Sequence, residues 1–152
     1  MTKIVVLDTG TLGMATHPSP NAEFSKWFKS VLKAKIEVCV PEICDYELRR
    51  ELIRIDSTDS LSKLDALNMA LGYLPIDTAV MRLAAQFWAK LRAEGPRPGN
   101  DLGIDGDVIL AAQTKQLEDS GFKPVIATDN VRHLTKLTTA KSWKNLVVGQ
   151  EL

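Results

Sequence analysis

With 152 residues, 45% of them hydrophobic and 25% charged, the chain has the size and balance of one globular domain spanning 1–152. Nineteen basic residues offset nineteen acidic ones, which excludes the overall positive charge of a protein that binds nucleic acid across its surface. Any such binding must come from a local patch or a partner chain.

The apolar pattern alternates strands with helices. Residues 3–7 (KIVVL) are a short β-branched run, read as a buried strand that Gly10 and Gly13 end. Residues 17–20 are a loop. Phe24, Trp27, Phe28, Val31 and Leu32 then recur at helical spacing. Residues 36–40 read as a second strand. Pro41 suits the first turn of the helix after it, which runs to about residue 55 with Leu48, Leu52 and Ile55 as its core stripe. A polar break at 56–59 precedes a helix over 61–71, and 73–76 is a short extended piece. Asp77 is placed to cap a helix whose apolar stripe is Val80, Leu83, Ala84, Phe87, Trp88 and Leu91, with Gly95 closing it. After a loop over 95–100 and an acidic stretch beginning at Asp101, a helix runs to about 118. A strand at 124–127, a short helix at 131–137 and a last strand at 146–148 complete the chain. This alternation predicts an α/β fold with a parallel sheet.

Cys39 and Cys44 are read as buried, reduced thiols. His17 and His133 are isolated, so a zinc site has too few ligands. With no membrane-length apolar run and no signal peptide in view, the expected compartment is the cytoplasm.

The chemistry lies in the acids. Asp8 and Asp129 each follow a strand, where open parallel sheets bind ligands, and Thr9 and Thr128 stand beside them to position a water or ligand. Singly, either Asp can equally be a turn starter. Glu47 and the competing Glu51 lie on an early helix, with Arg49, Arg50 and Arg54 as a phosphate-contacting surface or a solvated face. Asp107 opens a later helix beside Leu110, Ala111 and Thr114, so its carboxylate should be half buried. Asp105 is either that helix's cap or a further ligand. Converging carboxylates repel unless a cation joins them, and an all-oxygen set suits Mg²⁺, or Mn²⁺. A bound water of lowered pKa would attack phosphorus, with one ion or two. No Ser-His-Asp set, nucleophile elbow, phosphate-binding loop or dinucleotide fingerprint competes.

Four segments, VVLDTGTL, PEICDYELRREL, DGDVILAAQT and VIATDNVRHL, together make the chain resemble the PIN domain family, especially the VapC-type toxin ribonucleases of VapBC toxin–antitoxin pairs. The resemblance spans nearly the whole length. It implies a Rossmann-like three-layer α/β/α fold, a Mg²⁺-dependent endoribonuclease, a homodimer, and a small antitoxin that enters the active-site groove. Carried over by position, Asp8, Glu47 and Asp107 match the first three family acids. The fourth is expected two residues after the Thr of the last strand. Asn130 stands there and Asp129 precedes it, so the fourth edge is open between them. The expected site is therefore Asp8, Glu47, Asp107 and Asp129 as catalytic acids, with metal held by Asp8, Asp107 and Asp105. Thr9, Thr128, Asn130 and Arg50 position the substrate. A metal-dependent DNase is a variant of this reading. A catalytically weak or inactive PIN-like module binding RNA or protein is the alternative. A hydrolase using Asp8 as covalent nucleophile would want a second Asp where Gly10 stands.

Overall fold

The computed structural model describes residues 2–94, 104–131 and 134–149. Five strands form one parallel sheet: β1 (Lys3–Leu7), β2 (Glu37–Pro41), β3 (Gly72–Leu74), β4 (Lys123–Thr128) and β5 (Ala140–Ser142), in the order β3-β2-β1-β4-β5. Ile4 through Leu7 are all buried. Successive strand residues face opposite sides, so both faces of the sheet are covered, as parallel sheets require. The covering helices are α1 (Thr9–Thr16), α2 (Ala22–Lys33), α3 (Glu42–Arg54), α4 (Thr58–Ala70), α5 (Thr78–Ala93) and α6 (Ile104–Asp119). The arrangement is the α/β/α sandwich expected. A smaller apolar cluster, including Val80, Ala84, Leu91 and Val108, joins α5 to α6. Among the described residues no helix is long and apolar enough to cross a membrane.

Several elements differ from the sequence reading. Gly10 and Gly13 end β1 but do not prevent a helix: α1 begins at once, because Asp8 caps it by accepting from Thr11 N–H at 2.9 Å. Gly13 faces α3, where an added Cβ would meet Leu48 at 3.6 Å, an ordinary contact distance. Burial of Leu12 and close packing override the helix cost of glycine, about 1 kcal/mol each. Pro41 is the N-cap of α3 rather than a first-turn residue. Among the described residues the last strand is β5, and of the strand expected at 146–148 only Val148 forms a bridge. Leu146 is buried, but its carbonyl accepts from Trp27 Nε1 at 2.6 Å instead of joining a ladder. Of the helix expected over 131–137, the described residues show one 3₁₀ turn, Leu134–Lys136. Leu32, Ile55 and Trp88, assigned to core stripes, are exposed. Asp77 does cap α5, accepting from Val80 N–H at 2.8 Å, and both cysteines are buried and free. Gly95, the loop after it, Asp101 and His133 lie outside the described residues.

Candidate functional site

Parallel pairing aligns Leu7 with Ala127, so the chain leaves β1 and β4 side by side at their carboxyl ends. That is where the strand order reverses, with β2 on one side of β1 and β4 on the other, and where such sheets open a crevice. Asp8 and Asp129 are each one residue beyond those strand ends. α3 brings Glu47 to the same crevice and α6 brings Asp107. A cavity of about 430 Å³ is lined by all four carboxylates. Gln113 holds α6 in place: its side chain accepts from Ile43 N–H at 3.4 Å and donates to the Leu74 carbonyl at 2.6 Å.

Asp8, Glu47 and Asp129 are each oriented by a specific neighbour. Thr11 donates from its backbone N–H to Asp8 Oδ1 at 2.9 Å, and its hydroxyl, 3.0 Å from both Asp8 Oδ1 and the Ala127 carbonyl, shares one proton between them. The Thr9 hydroxyl donates to Glu47 Oε1 at 2.8 Å. Glu47 lies against the backbone of Gly106, where an added Cβ would stand 2.3 Å from Oε2. Asp107 is half buried and its Oδ2 is shielded from solvent. An ideal Cβ on Gly10 would lie 3.5 Å from Asp8 Oδ1 and 4.0 Å from Asp129 Oδ2, so those two acids flank the same stretch of backbone. Trp143 donates from Nε1 to Asp129 Oδ1 at 2.7 Å. Beneath the acids lies Cys44. Burial pushes its thiol well above the usual range; a hydrogen bond with Thr9 opposes this, and the charges of Asp8, Glu47 and Asp107 add to it. It stays a protonated thiol.

Arg50 is the only cation lining the cavity among the described residues. Its guanidinium stands 4.0 Å from Glu47 Oε2 and 5.0 Å above the exposed Tyr46 ring. Arg49 is spent elsewhere, on Asp45 (2.9 Å) and Asp65 (2.8 Å), and Arg54 pairs with Glu51. Glu51 reaches the cavity rim but is exposed and engaged by that pair.

Two expected roles meet a different geometry. Asp105 is exposed and lines a separate groove with Met81 and Trp88, not the acid cavity. Two residues on a helix subtend about 200°, which turns Asp105 to the face opposite Asp107. The Thr128 hydroxyl is engaged with the Asn130 backbone, donating to its carbonyl and accepting from its N–H, both at 3.0 Å. Sequence reasoning missed Thr11, Gly106 and Trp143. Only Thr11 carried a signal, three residues after a capping Asp.

The donors are all oxygen, and Gly106 leaves room for a carboxylate against the helix start, which suits a hard divalent cation. Among the described residues no three His, Cys, Asp or Glu side chains form a group that could by itself hold an ion. Any cation held here would touch one or two protein carboxylates and keep much of its water, as Mg²⁺ does.

No family model and no curated protein matches the sequence. Solved structures do match the fold. A chain of VapBC2 from Rickettsia felis, bound to a DNA fragment from its promoter, superposes with a TM-score of 0.69 at 17% identity, over 92% of this chain and 98% of that one. FitAcB from Neisseria gonorrhoeae gives 0.67 at 20%, over 93% and 99%. VapBC-1 from nontypeable Haemophilus influenzae gives 0.66 at 16%, over 93% and 99%. The likeness is one of fold, and the fold is the PIN type that the sequence resemblance implied.

Proposed function

We propose that this chain is a metal-dependent endoribonuclease, the toxin of a toxin–antitoxin pair. The observation that carries the reading is the convergence of Asp8, Glu47, Asp107 and Asp129, from four separate elements, on one cavity at the sheet's carboxyl edge. Asp8 and Asp107 are the residues that would hold Mg²⁺, with Mn²⁺ as an alternative. Such an ion supplies charge neutralisation and an activated water for phosphodiester hydrolysis. Glu47, set by Thr9 and Gly106, faces the same space, where it could take a proton from an attacking water or orient it. Arg50 at the rim offers a phosphate its positive charge, and its stacking on Tyr46 limits its motion. RNA as the substrate follows from the family resemblance.

The VapBC and FitAB complexes that share the fold support a small antitoxin as partner. An acid-lined cavity suits a basic segment of such a protein. Exposed Trp88 and Met81 on α5 supply apolar surface for the proposed homodimer, which light scattering would detect. A second reading has one observation in its favour. Asn130 stands where the resemblance expects an acid, which fits a weak or inactive module that binds RNA or protein through the same cavity.

The test is cleavage of mixed RNA, with single-stranded DNA as contrast, in Mg²⁺ and then in EDTA. Wild type should cut RNA only with Mg²⁺. Asp8→Asn and Asp107→Asn should each lower the rate by about 10²-fold or more. Cutting that survives chelation or both substitutions would sink the mechanism. No cutting under any condition would favour the binding module. A small upstream reading frame encoding a DNA-binding protein would support the toxin assignment.

A further inference from the structure

The geometry points to Trp143 as a positioning residue for this site: its indole N–H orients the Asp129 carboxylate, and thereby makes Asp129, not Asn130, the fourth acidic edge. The inference rests on the metal-dependent reading above and deepens it.

The fold brings the two residues together by register. β4 and β5 are parallel, with Thr128 opposite Ser142. Asp129 and Trp143 are the next residues along, so both leave the sheet at the same level on adjacent strands. A 3₁₀ turn at Trp143–Asn145 begins there. The contact is short for a nitrogen donor, 2.7 Å, as expected for a charge-assisted bond.

The donor is rigid. Trp143 is buried and its ring meets Phe24 edge-on at 5.3 Å and Trp27 at 5.9 Å. Trp27 is itself anchored by its bond to the Leu146 carbonyl. Asp129, by contrast, is exposed, and a free exposed carboxylate samples several rotamers. The indole restricts it. With Oδ1 turned to Trp143, Oδ2 is the oxygen that comes within 4.0 Å of the Gly10 Cβ position, on the side of Asp8. Asn130 also lines the cavity, and its bonds with Thr128 are to its backbone: the hydroxyl engages its N–H and carbonyl at 3.0 Å each. A buried indole N–H also needs an acceptor for its own sake. The experiment must therefore separate a bond that only satisfies the tryptophan from one that also serves the site.

Mn²⁺ is the probe, its dissociation constant read by electron paramagnetic resonance on the full chain, with thermal unfolding as the check on folding. Trp143→Phe should weaken Mn²⁺ binding about 3- to 10-fold, Asp129→Ala by a similar factor, and the double variant no further than either alone. Asn130→Ala should leave binding within about twofold of wild type. The chain has three tryptophans, so three indole N–H resonances are expected, and the one lost in Trp143→Phe should shift in Asp129→Ala and broaden with Mn²⁺. Wild-type Mn²⁺ affinity in Trp143→Phe, or losses that multiply in the double variant, would overturn the positioning role. If Trp143→Phe does not fold, the exposed positions decide: Asn130→Ala weakening binding more than Asp129→Ala would overturn it. A wild type that binds no Mn²⁺ would bring down the metal reading itself, a result distinct from failure of the variants alone.

Discussion

Thr9, Thr11 and Gly106 do no chemistry of their own, yet they set where the carboxylates stand. Thr11 spends its backbone N–H on Asp8, with its hydroxyl shared between Asp8 and the Ala127 carbonyl, and Thr9 spends its hydroxyl on Glu47. Gly106 works by absence: a Cβ there would stand 2.3 Å from Glu47 Oε2 and 2.9 Å from its Cδ. Gly106→Ala therefore sets two effects against each other. Alanine favours a helix over glycine by about 1 kcal/mol, and the displaced group is the free end of a flexible side chain. Global stability should stay within about 1 kcal/mol of wild type, read by denaturant unfolding. Glu47 must leave its place, so RNA cleavage should fall by about 10²-fold. A variant that cleaves normally would show that the position of Glu47 is immaterial. Sequence inspection had no means of finding Gly106, because a glycine inside a helix carries no mark of the side chain it makes room for.

Between elements, α3 and α4 are joined by a polar cluster rather than by apolar contact alone. Asp45 is buried on α3 and accepts from Arg49 on its own helix and from Asn68 of α4, while Arg49 reaches Asp65 of α4. Burial by itself raises the Asp45 carboxyl, but the hydrogen bonds from Arg49 and Asn68, with the charge of Arg49, outweigh it and hold the group below the ordinary carboxylate range. A carboxyl with a folded-state pKa below its unfolded one stabilises the fold above about pH 4, and that stability is lost as pH falls through the folded value. Asp45→Asn should cost about 1 kcal/mol at pH 7, a modest figure because the Arg49 partner is partly open to solvent. Between pH 5 and 3 the wild type should lose more stability than the variant, measured by urea unfolding at each pH. Parallel curves would show that Asp45 is not a charged anchor. The same cluster explains why Arg49 left the proposed phosphate surface and Arg50 remained.

For the molecule as a whole, a net charge of zero conceals a strongly acidic cavity. Like charges brought together by folding cost stability, which on the proposed function a cation would return. Mg²⁺ at ten times its dissociation constant should raise wild-type stability by about 1.4 kcal/mol. Asp8→Asn removes one charge but keeps an N-cap oxygen for α1, since Asn caps as well as Asp. In EDTA this variant should be more stable than wild type by about 0.5–1 kcal/mol, and Mg²⁺ should stabilise it far less. Calorimetric melting with and without Mg²⁺ reads both effects. An Asp8→Asn protein that is less stable in EDTA would mean that the acids do not strain the fold.

Local pattern was enough to show that strands alternate with helices, that Asp77 caps α5, and that Asp8 and Asp129 sit at strand ends, because periodicity and capping act over a few residues. It did not show that α1 follows β1 without a break, since glycine propensity argues against a helix that Asp8, Leu12 and close packing on Leu48 support. It mistook buried Leu146 for a strand, because burial and strand character look alike in a short apolar run. The set Asp8, Glu47, Asp107 and Asp129 was legible from position and resemblance, and tertiary structure decided that Asp105 does not share their cavity and how each acid is held. The turn of α6 sends Asp105 away from Asp107, the approach of Gly106 seats Glu47, and the pairing of β4 with β5 sets Trp143 beside Asp129. Each depends on contacts between residues far apart in the chain, and local sequence does not encode their distance.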